Sequence, residues 1–282
     1  MKIEIACLPM SKRKIFTAAA CLFFSLLGVR SEVPSPVEKI KILAIGNSFT
    51  GDATSFLQKL ARGGGKELTL FVAAVGGYSL EEHVARLQAF EADPKDPRGR
   101  PYGKKDTSLR EALQKEDWDV VTIQQSSVRS TKPETFEPSM TILVEYIRKH
   151  APGARILLFE PWAYPDDYYD QVKSLKLDHT SMRAKVKSVY QEVSEKTGIE
   201  IIPVGEAFER AGGSEAPITL TNPNDKHCNS QGRYLSGAVF YEAIFRDGVE
   251  GNSFRPPKVT SEEAKTLLRV AHETVAASPL AK

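Results

Sequence analysis

The sequence predicts a doubly wound α/β fold, a three-layer α/β/α sandwich on a five-stranded parallel sheet, and two observations lead there. Five short runs are apolar nearly throughout, which is how strands buried on both faces read. Longer segments with helical spacing lie between them, so successive strands must be joined by right-handed crossovers. In such sheets ligands sit beyond the carboxyl ends of the strands, so the residues that follow each strand are the functional candidates.

The strand runs are "IKILAIG" (40–46), "LTLFVAA" (68–74), "WDVVTIQ" (118–124), "RILLFEP" (155–161) and "IEIIPVG" (199–205). Helix candidates cover 53–62, with Phe56, Leu57 and Leu60 on one face, and 80–90, 108–116, 140–150 and 182–197. The stretch "EADPKDPRGRPYGKKD" (91–106) is dense in Pro, Gly and charge and reads as a long surface loop on the active-site side. "RGGGK" (62–66) lacks the strand-loop-helix order of a phosphate loop and reads as a helix C-cap and turn.

The first 31 residues are set apart from the fold. "SKRKIFTAAACLFFSLLGVRS" is a basic segment followed by an apolar run from Ile15 to Val29, the pattern of a secretory signal peptide cleaved after Ser31, with residues 32–39 as a linker and 40–280 as one domain. Met10 makes a better start than Met1, because it puts the positive charge at the terminus. A lipid attachment at Cys21 fits less well, since the apolar run continues past it, and an uncleaved anchor would need about 20 apolar residues. The expected location is secreted or periplasmic, with no membrane contact after cleavage.

Loss of this segment removes Lys2, Lys12, Arg13, Lys14, Arg30 and Glu4, so the 38 basic and 36 acidic residues of the chain become 33 and 35. The positive balance belongs to the leader, and without a basic field a nucleic-acid partner is not expected. Cys228 remains as the single thiol of the mature chain, which leaves no internal disulfide. No His-x-x-x-His pair occurs, and the acids at 166 and 167 stand apart from any histidine cluster, so neither a metal site nor a cofactor is expected.

Two segments carry chemistry. In "IGNSFTGDA" (45–53), Ser48 closes the first strand, and local grammar alone favours a helix cap, a role that Asn47, Ser48, Thr50 and Asp52 can all fill. A serine hydroxyl becomes a useful nucleophile only beside a base that accepts its proton. Among the five histidines, His150 at the close of a helix, His179 at the start of another and His272 within the C-terminal helix read as surface residues, and His83 as a structural or pocket-lining residue. His227 differs, because "TNPNDKHCNSQGRYLSGAVFYEAI" is a polar loop that feeds a long amphipathic helix and carries acids and amides just before the imidazole.

A Gly-(Asp/Asn)-Ser after the first strand and an Asp-x-x-His loop before the last core helix mark the SGNH (GDSL-type) hydrolase family, which "IGNSFTGDA" and the His227 loop resemble, and "WDVVTIQQSS", "IIPVGEAF" and "DKHCNSQGRYLSG" resemble a secreted bacterial branch of it. The resemblance spans about residues 40–250 and implies a flavodoxin-like SGNH fold. It also implies a serine esterase with Ser48 as nucleophile and His227 as general base, and an oxyanion hole formed by the N–H groups of Ser48 and Gly77. The family's third donor is an Asn after the third strand; this chain has "IQQSS" there, and a Gln carboxamide offers the same N–H₂ on a longer stem, from Gln124 or Gln125. The family's orienting Asp stands three residues before the His, where this chain has Asn224; Asp225, two before, restores a carboxylate if the loop shifts by one residue, and "DKH" favours it.

"FEPWAYPDDYYD" (159–170) places Trp162 and Tyr164 after the fourth strand, where aromatic faces would suit sugar rings. Together with His83 these are the substrate-binding candidates. No long apolar lid is visible, which argues against long acyl chains. The reading is therefore a secreted esterase acting on small-molecule or glycan esters, O-acetyl groups foremost. The competing readings are a non-catalytic glycan-binding protein on the same scaffold, and an O-acyltransferase.

Overall fold

The structure, a computed structural model, describes residues 38–103, 106–213 and 217–281. The expected signal peptide and nearly all of the linker lie outside the described residues.

Strand β1 (Lys39–Gly46) is an interior strand, next to one edge of the sheet. Its Ile42, Leu43, Ala44 and Ile45 are fully buried, each large aliphatic contributing about 1.5–3 kcal/mol on leaving water. It pairs in parallel with β2 (Glu67–Ala74) on one side and β3 (Val120–Ile123) on the other. Outside β3 lie β4 (Arg155–Phe159) and β5 (Glu200–Ile202), and the order is β2-β1-β3-β4-β5, all parallel. The chain changes direction between β1 and β3, the crevice where such sheets bind ligands. The five-stranded parallel sheet flanked by helices is the fold class the sequence predicts.

The helices are α1 (Ser48–Thr54), α2 (Leu57–Gly63), α3 (Leu80–Ala92), α4 (Leu109–Leu113), α5 (Ser139–His150), α6 (His179–Thr197), α7 (Val204–Gly212), α8 (Ser230–Phe245) and α9 (Ser261–Ala276). One flanking group is built from α3, α4 and α5, and another gathers α1, α2, α7 and α9 around α8. Every residue of α8 from Tyr234 to Phe245 is buried. It is therefore a central helix, apolar nearly all round, and not the amphipathic surface helix its polar start suggests. Among the described residues no helix is long and apolar enough to cross a membrane.

Four boundaries differ from expectation, each for a local reason. The single helix over 53–62 is two, α1 and α2, separated at Ser55 and Phe56. The fifth strand stops at Ile202 because Pro203 cannot continue the ladder, and "VGEAF" opens α7. Strand β3 ends at Ile123, one residue short of the predicted run, so Gln124 and Gln125 both lie beyond the strand. The 91–106 segment is mostly exposed, as a surface loop should be, but it is anchored: α3 runs into it as far as Ala92, a cap from Asp96 starts a short turn at 97–99, Gly99 sits against the Phe90 backbone, and Tyr102 is fully buried.

Candidate active site

Asn47, not Ser48, is the N-cap of α1: its Oδ1 accepts the Phe49 N–H at 3.1 Å, and its Nδ2 donates to the Tyr78 carbonyl at 3.0 Å. Ser48 is thus freed to be the first helical residue, half-buried at the carboxyl end of β1. Gly46 has to be glycine, since a Cβ there would lie 2.2 Å from Thr50 Oγ1 and 2.7 Å from Gln124 Oε1.

The histidine arrives from a small hairpin between Leu220 and Asn229. Thr221 and Cys228 form an antiparallel bridge, the Asn222 N–H donates to the His227 carbonyl at 3.0 Å, and the Asn229 N–H donates to the Leu220 carbonyl at 3.0 Å. Asn224 makes the turn in the left-handed region at φ 52°, a conformation Asn tolerates better than most residues, and its N–H donates to Asp167 Oδ2 at 2.8 Å. Asn229 then caps α8 by accepting the Gly232 N–H at 3.0 Å. Gly232 allows the hairpin to lie on the helix, because a Cβ would meet the Leu220 carbonyl oxygen at 2.0 Å.

This geometry brings His227 Nε2 to 2.9 Å from Ser48 Oγ across 179 residues of chain. The other nitrogen, Nδ1, lies 2.8 Å from Asp225 Oδ1, which also accepts the His227 main-chain N–H at 3.2 Å. With Nδ1 protonated toward the carboxylate, Nε2 accepts from the serine hydroxyl. Some burial pushes Asp225 upward, but the hydrogen bonds from the His227 side chain and main chain outweigh it and hold the carboxyl below the usual range. Of the two orienting candidates, Asp225 stands on the imidazole and Asn224 shapes the turn.

The glutamines hold the scaffold. Gln124 Oε1 accepts from the Asn47 N–H at 3.3 Å and the Thr50 hydroxyl at 3.0 Å, while its Nε2 donates to the Gln125 carbonyl. Gln125 Oε1 accepts from the Leu80 and Ser126 N–H groups at 3.1 and 2.8 Å, and its Nε2 donates to the Thr135 carbonyl at 2.9 Å. Exposures of 0% and 1% leave neither amide a surface that a substrate could reach, which corrects the expectation that one of them completes the oxyanion hole. The Ser48 and Gly77 N–H groups have no acceptor among the described residues; Gly77 is exposed in the turn after β2 at φ 78°, which favours glycine.

The three substrate-binding candidates are corrected as well, because all are sealed in the interior. Trp162 is stacked between Phe49 at 4.1 Å and Phe208 at 4.9 Å between ring centroids, and its indole N–H donates to the Lys226 carbonyl at 2.9 Å. Tyr164 shares a 2.7 Å hydrogen bond with the Ser127 hydroxyl. His83 lies 2.6 Å from the Tyr102 hydroxyl and 3.0 Å from the Gly46 carbonyl, and burial pushes its pKa down to about 4. The side chains act from behind the site: Trp162 holds the base loop, and neutral His83 holds the end of β1.

His179 and His272, expected at the surface, are each bound to a glutamate. His179 reaches Glu209 at 3.0 Å and the Tyr164 carbonyl at 2.7 Å, and His272 reaches the buried Glu242 at 2.6 Å. Sequence reasoning also missed Asp52, a buried carboxylate one turn beyond Ser48 on α1, for which the only signal is its i+4 spacing from the serine. A cavity of about 400 Å³ lies elsewhere, beside β5, lined by Glu160, Arg183, Lys187 and Glu206 among others, and it includes neither Ser48 nor His227. Chemistry, rather than volume, locates the site.

A parallel sheet of this order with a serine after β1 met by a histidine from the loop before α8 defines an SGNH-type hydrolase fold. The chain belongs to the family described as a domain of unknown function, DUF4886, whose model matches residues 41–274. A crystal structure of a DUF4886 family protein from Bacteroides uniformis is similar at 25% identity and a TM-score of 0.74, over 85% of this chain and 96% of that one. A candidate SGNH hydrolase from Slackia heliotrinireducens is similar at 25% identity and a TM-score of 0.54, over 73% and 98%. The acetyl xylan esterase AlAXEase shares the fold at 16% identity and a TM-score of 0.50, over 73% and 100%. No curated protein matches the chain in sequence.

Proposed function

We propose that this chain is a secreted serine esterase that releases short acyl groups, acetyl foremost, from alcohol oxygens, on carbohydrate among other carriers. The observation that carries the reading is the continuous relay from Ser48 Oγ to His227 Nε2 at 2.9 Å and from His227 Nδ1 to Asp225 at 2.8 Å. Ser48 Oγ bonds to the ester carbonyl carbon while its proton passes to Nε2. The negative charge that develops on the carbonyl oxygen is met by the N–H groups of Ser48 and Gly77. Collapse of the tetrahedral intermediate breaks the bond to the alkoxy oxygen, which leaves as alcohol with the proton from Nε2. Water then repeats the sequence on the acyl-serine, giving the acid and free Ser48.

Two observations support a small acyl group and an export route. Among the described residues Val128, at 37%, is the one large hydrophobic that is exposed, so no apolar face suits a lipid chain. The basic and apolar leader supports secretion. AlAXEase, whose name gives acetyl xylan as substrate, has the same fold.

The test is hydrolysis of p-nitrophenyl acetate and of acetylated xylan by the wild type, Ser48→Ala and His227→Ala. Both variants should lose about 10³-fold or more in kcat. Equal rates in all three would end the esterase reading. Labelling by a fluorophosphonate probe that disappears in Ser48→Ala separates an enzyme from a binding protein on the same scaffold.

A further inference from the structure

The base loop and the nucleophile helix are tied together by a buried carboxylate that lies outside the relay. Asp52 sits four residues after Ser48, on the same face of α1, with 9% of its side chain exposed. Its Oδ2 accepts the Cys228 main-chain N–H at 2.9 Å, the peptide immediately after His227. Its Oδ1 faces the Arg233 guanidinium, at 3.0 Å from Nε and 2.8 Å from a terminal nitrogen, and Arg233 is in the first turn of α8. One carboxylate thus binds the nucleophile's helix, the base's own backbone and the helix that the base loop feeds.

We infer that Asp52, neutralised by Arg233, is a positioning residue that sets the Ser48 to His227 separation, an inference that rests on the esterase reading above. Three points favour positioning over ordinary packing. A carboxylate this buried is costly unless it is fully paired, and both of its oxygens are used on groups flanking the site. The main-chain N–H that it holds belongs to the residue bonded to His227, so a shift there carries directly into the imidazole. The opposite edge of the same loop is held separately, by the Trp162 indole on the Lys226 carbonyl and by Asp167 on the Asn224 N–H. His227 stands between these two clamps, and Asp52 is the one on the serine side.

The consequence is kinetic. A displacement of about 1 Å between nucleophile and base costs on the order of 10²-fold in rate, whereas substrate binding, which does not use Asp52, is left alone. Asp52→Ala should therefore lower kcat on p-nitrophenyl acetate about 10²-fold, counted per active site by fluorophosphonate titration, with KM within about threefold of wild type. Asp52→Asn keeps an oxygen for the Cys228 N–H and should recover about tenfold of that loss. Arg233→Met should fall between the two.

Hydrogen exchange supplies a readout independent of activity. The Cys228 amide should be protected in the wild type and in Asp52→Asn, and exchange faster in Asp52→Ala, while core amides of β1 stay protected. Should Asp52→Ala fail to fold, the Asp52→Asn and Arg233→Met comparisons decide. Wild-type kcat in Asp52→Ala beside an inactive Ser48→Ala overturns the inference and leaves the esterase reading standing. A loss expressed in KM, or an unchanged Cys228 exchange rate, also overturns it. An active Ser48→Ala overturns the esterase reading, and the exchange result then reports separately on the tie.

Discussion

Asp225 reaches the imidazole of His227 from only two residues earlier in the chain, and its Oδ1 receives both the Nδ1–H at 2.8 Å and the main-chain N–H at 3.2 Å. The short spacing works because Asn224 takes the left-handed conformation just before it and turns the chain. Asp225→Ala should therefore cost on the order of 10²- to 10⁴-fold in kcat, through loss of tautomer control and of imidazolium stabilisation. Asn224→Ala should cost less than about tenfold, with the deficit in stability. Steady-state kinetics of the pair with p-nitrophenyl acetate decides the assignment.

The hairpin that carries His227 rests on a bare helix backbone at Gly232. Gly232→Ala puts a methyl 2.0 Å from the Leu220 carbonyl oxygen and 3.0 Å from Cys228 Sγ, so the hairpin must lift off α8. About 1–3 kcal/mol of destabilisation and a fall in kcat of about tenfold or more are expected, measured by thermal unfolding and by turnover. An increase in Tm with full activity would contradict the contact.

Gln124 holds the turn that carries Ser48 rather than a substrate. Gln124→Ala leaves the Asn47 N–H and the Thr50 hydroxyl without their buried acceptor, at about 1–3 kcal/mol. A denaturant titration should show that loss. A variant as stable as wild type but with reduced kcat would instead restore Gln124 to the oxyanion hole.

A pH effect on stability follows from His179. The hydrogen bond to Glu209, helped by the Tyr164 carbonyl and by Asp166, outweighs partial burial and raises its pKa from 6.5 to about 9. A raised folded-state value means the stabilisation is fully present below about pH 6.5 and is lost as pH rises through about 9. Wild-type Tm should therefore decline across that window, and His179→Gln should decline less. Parallel curves for the two proteins would show that the pair contributes nothing.

The parallel sheet was legible in the five apolar runs because strands buried on both faces have no freedom to be polar, and β1 and β2 were placed to within one residue. The helix capping grammar was harder to read, since Asn47, Ser48, Thr50 and Asp52 are all competent caps and only the backbone shows that Asn47 takes the role. The aromatics after β4 are hard to place from sequence for a similar reason. A Trp or Tyr at a sheet's carboxyl edge has the same sequence signature whether it faces a ligand or closes the core, and Trp162, at 1% exposure, closes the core.

By itself, the sequence determined the layer architecture and singled out Ser48 and His227, because hydrophobic periodicity is local and because a Gly-Asn-Ser turn and a polar histidine loop are short motifs. Only the tertiary structure decided which groups meet. The choice of Asp225 over Asn224 depends on a left-handed turn. The inward commitment of both glutamines depends on where β3 ends. The tie from Asp52 to Cys228 depends on two helices, α1 and α8, that are brought together by burial rather than by any pattern in the chain. Contacts between segments 176 residues apart are set by packing, and no local spacing encodes them.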